Sequence, residues 1–311
     1  MTGFCAAMAI ALLLDALLGW PDWLYRRIGH PVTWIGALIS VLDKRLNGAG
    51  HASRAKGTFA ALLVITAATV PAIALSGLLP GGIWGVVLTG ALAWPLVAAR
   101  SLHTHVAAVA RPLAAGDLPG ARHAVSMIVG RDPAQLDTPA IARAGLESLA
   151  ENASDGVIAP LFWGAVAGLP GIAAYKAINT LDSMIGHRTP RHERFGWAAA
   201  RIDDVANLIP ARLTAGLIML AAGRPAAIWP IVRRDARHHR SPNAGWPESA
   251  MAGALHCRLS GPRTYAEGKT NEPWLNADAP DPDAVKMAQG LRLFTRATAL
   301  CALALVICAA I

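Results

Sequence analysis

Gly57–Leu79 reads GTFAALLVITAATVPAIALSGLL, and after Pro80, Gly81–Ala99 reads GGIWGVVLTGALAWPLVAA. No Asp, Glu, Lys or Arg interrupts either run. A bilayer core needs roughly 20 apolar residues in a helix. Each run is therefore long enough to cross one, and the two read as a tight hairpin about Pro80. The whole chain agrees: of its 311 residues, 54% are hydrophobic and 15% charged, against about 25% charged in a soluble domain.

Working outward, Gly3–Gly19 is a shorter apolar run that carries Asp15, followed by Trp20 and Trp23, residues suited to a membrane interface. No Lys or Arg precedes it, so it lacks a signal-peptide start and is expected to be retained. Leu291–Ile311 is a terminal span with Arg292 and Arg296 near its entrance. Two further runs are less clean. Val157–Tyr175 holds Pro160, Gly164, Gly168, Pro170 and Gly171, and Val205–Ala222 holds Asn207, Pro210 and Arg212. Irregular or charged backbone at membrane depth survives only inside protein or along a cavity. Both runs are expected to face the interior, with 157–175 broken or re-entrant through Pro170-Gly171.

The expectation is thus an all-α, polytopic integral membrane helical bundle. It forms one membrane domain over 1–311, with spans at 3–19, 57–79, 81–99, 157–175, 205–222 and 291–311. Helical soluble excursions fill 100–156 and 223–290, the first containing a helix that starts at Thr138-Pro139. The basic loop 20–56 belongs in the cytoplasm by the positive-inside rule. A straight 157–175 would put Glu147 and Asp182 on opposite sides of the membrane. A shared interior cavity is the favoured alternative, although a spanning 205–222 would then leave the basic stretch 223–296 outside.

The formal charge is +8. The basic residues lie between apolar runs, which suits cytoplasmic loops, anionic lipid heads or anionic small substrates, and not nucleic acid. Cys5, Cys257, Cys301 and Cys308 form no C-x-x-C pair and read as small buried hydrophobes. Gly268-Lys269-Thr270 ends like a P-loop, but Arg263 stands where the first glycine is required.

Ionisable residues gather beside the doubtful runs. Arg143, Glu147 and Glu151 recur every four residues on one helix face, followed by Asn152 and Asp155. A solvated face with an intrahelical ion pair would explain them as well as a site would. Beyond the broken run, Lys176, Asn179 and Ser183 share a face with Asp182 beside it, and then come Arg201, Asp203, Asp204 and Asn207. Carboxylates with Asn at helical spacing suit magnesium bridging phosphates, while Lys and Arg suit the phosphate charge. Buried polar glue between helices is the plainer account. A third block, Arg233 to Glu248, is either a basic patch on anionic lipid or an anion pocket.

Together these blocks resemble the CobD/CbiB family, the adenosylcobinamide-phosphate synthases of cobalamin biosynthesis. The matching motifs are Asp15 to Pro21, Gly29-His30-Pro31-Val32, Gly130-Arg131-Asp132, and Glu147 to Gly156 with Ala159-Pro160-Leu161. They continue through Tyr175 to Gly186, Phe195 to Ala198, Arg201 to Asn207 with Ile209 to Arg212, and Ser241 to Gly253. Two positions depart: Ala153 where a hydroxyl residue is expected, and Pro133 where Thr is expected.

The resemblance implies a multi-pass protein of the inner membrane, working beside other late membrane enzymes of the pathway. It implies a reaction in which cobyric acid, a corrinoid carboxylate, is joined to aminopropanol or its phosphate as an amide, with ATP consumed. On the matching motifs, chemistry assigns Mg2+ to Asp155, Asp182, Asp203 and Asp204. Lys176, Arg201 and Arg212 go to phosphate charge, and Glu147 or Glu151 to the proton of the attacking ammonium. Asn152 and Asn179 orient substrate, and Arg237, His239 and Asn243 hold the aminopropanol phosphate. A membrane prenyltransferase with a magnesium-bound diphosphate, and a non-enzymatic sensor or transporter, are the competing readings.

Overall fold

The computed structural model of the chain describes residues 2–48, 53–128, 136–187, 189–265, 268–270 and 272–311, with backbone alone for 263–265 and 268–270. The Gly130-Arg131-Asp132 motif and Pro133 lie outside the described residues. The described chain is almost wholly helical. In order, its helices are α1 (Thr2–Leu18), α2 (Asp22–Ile28), α3 (Pro31–Leu46), α4 (Arg54–Leu78) and α5 (Gly82–Ala93). Next are α6 (Ala99–Ala114), α7 (Leu118–Ser126), α8 (Thr138–Asn152) and α9 (Ala159–Ile185). The last are α10 (Trp197–Ala206), α11 (Leu208–Ala221), α12 (Pro225–Asp235), α13 (Gly245–Leu255) and α14 (Ala284–Ala310). Two short antiparallel ribbons, β1 (Leu259–Ser260) with β4 (Trp274–Leu275) and β2 (Arg263–Tyr265) with β3 (Gly268–Thr270), precede α14.

By length and composition, Arg54–Leu78, Gly82–Ala114, Thr138–Ile185 and Ala284–Ala310 are able to cross a membrane, and two bent helix pairs bring the total to as many as six. The large apolar side chains left uncovered on α4, among them Phe59, Leu62, Val70 and Ile73, are what a lipid-facing helix displays. The chain divides into two compact units: residues 1–98, 159–207 and 302–311, and residues 99–158 and 208–301.

In the first unit α5 packs on α1, and α4 packs along α9, with α3 and α10 against both. The quoted apolar runs therefore take different partners, and the hairpin expected about Pro80 is not a packed pair. Ala60, Ala61 and Val64 of α4 meet Ala177, Leu181 and Ile185 of α9, with Ile39 and Phe195 completing the cluster. Small residues set the approach: a methyl on Gly57 would overlap the carbonyl of Phe195. Close backbone contact is how helices associate where burial from water offers no drive.

α9 is not one straight rod. Ala167 (φ −132°, ψ 17°) and Gly168 (φ 64°, ψ −149°) leave the helical region. Side-chain-bearing residues are strained at the Gly168 conformation. A methyl on Gly171 would overlap the Trp163 carbonyl, eight residues back. Ala159 and Tyr175 share one apolar cluster with Ala206, although a straight helix would set them about 24 Å apart. The segment is thus two helical arms folded back at the break. Its break falls just before the expected Pro170-Gly171, because Pro170 sits in the first turn of the second arm, where its missing N–H costs nothing.

In the second unit α11 and α12 pack on α13, α6 packs on α7 and α8, and α8 touches β1. Gly145 and Leu146 of α8 meet Met287 and Gly290 of α14. Asp137 caps α8, accepting the Ala140 N–H at 2.9 Å, so the cap falls one residue before the Thr138-Pro139 start. After α8 the chain widens into a π-helical turn over Ala153–Ile158, a distortion common at functional sites.

Gly168→Ala should destabilise the protein by about 1–3 kcal/mol, besides meeting Phe4 at 2.9 Å. Thermal unfolding in detergent reads this. A variant melting with the wild type would mean that the break is not held by backbone geometry.

Candidate functional site

The first unit has a polar interior built on the second arm of α9. Tyr175, 1% exposed, donates its hydroxyl to Asn207 Oδ1 at 2.8 Å. Asn207 Nδ2 donates to Asp203 Oδ2 at 3.0 Å. The chain Tyr175–Asn207–Asp203 thus ties the end of α10 to α9. Trp163 Nε1 adds a bond to the Ala206 carbonyl at 3.0 Å from the first arm. Buried polar groups survive in such places because each finds a partner.

Lys176, one residue along, is 9% exposed and lies within electrostatic reach of His30. His30 caps α3 through Nδ1, which accepts the Val32 N–H, while Thr33 returns a bond to the His30 backbone. Its ring meets Trp20 edge-on at 5.0 Å, and Trp20 meets Trp94 at 5.6 Å. Farther along α9, Asn179 and Asp182 are half-buried. Asp182 lies within electrostatic reach of His187, Asp204 and Arg201. Arg201 and Asp204 pair at 2.7 Å. Lys176, Asn179, Asp182, Arg201, Asp203 and Asp204 thus all lie in the first unit. His30 and Tyr175 stood in the quoted motifs but not among the site residues. The signal for His30 was a side chain able to cap, directly before a proline-started helix.

The other expected residues belong to the second unit. Glu147 is 6% exposed, and its Oε1 accepts the Ser260 N–H at 2.7 Å. Ser260 has φ 60°, so this carboxylate steadies a left-handed turn. Among the described residues Arg143 makes no ion pair within its own helix. It reaches Asp281 at 2.7 Å, which Arg258 also holds at 2.6 Å. Both guanidinium groups lie over the Trp274 ring, at 4.7 and 4.4 Å from its centroid. Glu151 and Asn152 are exposed, Asn152 bonding back to the Ser148 carbonyl. Asp155 is half-buried in the π-helical turn, beside Ser154, whose buried hydroxyl has no partner among the described residues.

Arg212 reaches Asn243 Oδ1 at 3.3 Å and lies 4.5 Å from the Trp246 ring centroid. His239 accepts the Ser241 N–H on Nδ1, and its Nε2 faces Glu248 Oε1 at 3.7 Å, both side chains buried. Glu248 was not among the expected site residues. Arg237 is exposed and lines a surface cleft with Trp229 and Arg233 instead. Burial pushes the Cys257 thiol up to about 12, which suits an inert hydrophobe.

Among the described residues no three of His, Cys, Asp and Glu form a ready-made metal cage. Magnesium does not require one: it keeps waters and takes one or two carboxylates plus substrate phosphates. In the first unit the Asp203 carboxylate already accepts the Asn207 amide. The Asp204 carboxylate is likewise engaged, by Arg201, with Asp182 within electrostatic reach of it, and Asp155 lies in the other unit.

Residues 8–294 match the family model described as CobD/Cbib protein. The chain belongs to the CobD/CbiB family. Family members named "Cobalamin biosynthesis protein CobD" include one from Rhodobacter capsulatus, 65% identical over 296 residues, covering 95% of this chain and 94% of that protein. Another, from Rhizobium meliloti, is 50% identical over 280 residues, covering 86% and 85%. A third, from Brucella anthropi, is 46% identical over 300 residues, covering 92% and 91%. No solved structure matches.

Two outcomes test these contacts. Asn207→Leu removes a bridge between two buried polar groups and should cost about 1–3 kcal/mol in thermal or denaturant unfolding; an unchanged midpoint would contradict the bridge. The Arg258 and Arg143 hydrogen bonds hold the Asp281 carboxyl down to about 2. That lies below the unfolded value of about 3.9, so the stabilisation is present above about pH 4 and lost as pH falls through about 2. Asp281→Asn should flatten the acid limb of the melting-temperature profile; an acid limb identical to the wild type's would count against this latch.

Proposed function

We propose that the chain is an ATP-dependent acid–amine ligase of cobalamin biosynthesis. It joins the carboxylate of cobyric acid to aminopropanol or its O-phosphate, and gives cobinamide or its phosphate. The observation that carries this reading is the 65% identity, over 95% of the chain, with a protein named for cobalamin biosynthesis. The apolar spans support a multi-pass place in the inner membrane, where other late enzymes of the pathway would be neighbours.

A carboxylate is a poor acyl donor. Transfer of the γ-phosphoryl group of ATP to its oxygen gives an acyl phosphate and ADP. The amine nitrogen then forms the C–N bond as the C–O bond to phosphate breaks, and inorganic phosphate leaves. Catalysis of such a transfer is mostly alignment and charge neutralisation. In this reading Lys176 neutralises phosphate oxygens from a site already stripped of water, so its charge acts at low dielectric. Exposed Arg201, paired with Asp204, assists at the edge, and Asn179 orients substrate by hydrogen bonding. Asp182 and Asp204 would hold Mg2+, which when bound supplies positive charge to the phosphates. Asp203 acts through Asn207 and Tyr175, fixing α10 beside Lys176.

Glu147, which holds the Ser260 turn, belongs to the second unit with Glu151, Asn152, Arg212, His239 and Asn243, and the phosphoryl step is assigned to residues of the first unit alone. No observation favours the prenyltransferase or the sensor reading.

With purified full-length protein, ATP-dependent amide formation from cobyric acid should fall at least 100-fold in Lys176→Met, on the order of losing one preorganised charge contact. Asp182→Asn should fall comparably. Full turnover in both would remove the phosphate site from the first unit. For the reaction itself, deleting the gene should leave growth restored by cobinamide and not by cobyric acid. Rescue by cobyric acid alone would end the ligase reading.

A further inference from the structure

α12 and the 3-10 turn that follows it (Ala236–His238) form a basic face that the ligase chemistry does not use. Trp229, Arg233 and Arg237 recur every four residues, with Pro230 and Arg234 beside them. These five residues line one open surface cleft of about 460 Å3. The opposite face of α12 is buried through Ile228, Val232 and Asp235. Asp235 takes no negative charge to the cleft mouth, because Arg234 holds both its oxygens and Oδ2 also accepts the Asn276 N–H. Asp278 is the acidic neighbour within reach of Arg234. Arg233 and Arg237 are exposed and have no hydrogen bond or ion pair with the described residues.

The surroundings select the anion. The apolar helix α11 ends at Ala221, and Gly223 (φ 71°) turns the chain into α12 only two residues later. One cleft wall is apolar: Trp229 is 44% exposed, with its ring 6.4 Å from that of Trp246. Tryptophan beside arginine at the end of an apolar helix is how a protein meets the headgroup layer. A free anion would be poorly held in so open a cleft, and it has no use for an indole wall. A phospholipid uses both, with its phosphate between the arginines and its glycerol against Trp229. The geometry points to an anionic glycerophospholipid headgroup site on α12, formed by Arg233, Arg237 and Trp229.

The test uses the full chain, purified in detergent with phosphatidylglycerol or phosphatidylcholine of the same acyl chains, and native mass spectrometry to read the retained lipid. Wild type should retain the anionic lipid in preference. The double variant Arg233→Gln/Arg237→Gln should lose about thirtyfold of that preference, the loss expected for two surface arginines. Arg233→Lys/Arg237→Lys should keep most of it. An unchanged preference in the glutamine variant overturns the site. So does a wild-type preference abolished by millimolar inorganic phosphate, the behaviour of a free-anion pocket. Should the glutamine variant fail to fold, a salt titration of wild type decides, since a preference indifferent to molar salt would also overturn it.

Discussion

Gly168 carries a backbone conformation that other residues reach only under strain, and the polar interior of the first unit depends on it. An ammonium or a carboxylate facing hydrocarbon is costly enough to be rare. Lys176, Asp182 and Asp203 stand next to one of the most apolar stretches in the chain. With α9 folded back at Ala167–Gly168, Lys176 and Asp203 are buried within the unit and Asp182 is half-buried. The break is tolerated because its freed backbone lies inside protein, with Phe4 against Gly168 and Met8 against Gly164.

The second unit solves a related problem by pinning. Among the described residues, three that are not glycine, His256, Ser260 and Asn276, take positive φ within or beside the short ribbons. Two of them have their backbone N–H groups held by buried carboxylates, Ser260 by Glu147 and Asn276 by Asp235. Arg143 and Arg258 both lie over the Trp274 ring while sharing Asp281. An acid that looks catalytic in a sequence can also hold a turn, as Glu147 does at Ser260.

The helical, membrane-spanning character was legible because apolar run length is a property of sequence alone. The face shared by Lys176 and Asn179 and the one-turn spacing of Asp203 and Asn207 were legible because helical spacing fixes which side chains lie near one another on one helix. Partners distant in sequence were not legible. The Arg143 stripe suggested an intrahelical pair, but its acid is Asp281, 138 residues away. The quoted apolar runs suggested a hairpin, yet α4 and α5 choose α9 and α1. Asn207 looked like a ligand residue, and it proves to be the hinge pin between Tyr175 and Asp203. Arg237 and His239 are two residues apart, but the 3-10 turn sends one to a surface cleft and the other inward to Glu248.

The fold-back of α9 is the claim from which the buried site in the first unit follows, and a distance tests it most directly. Spin labels at positions 162 and 178, both half-buried and on opposite arms, would be read by dipolar spectroscopy in lipid nanodiscs. The account predicts labels in close proximity, strongly broadened. A separation near 24 Å, the length of a straight helix over that interval, would contradict it.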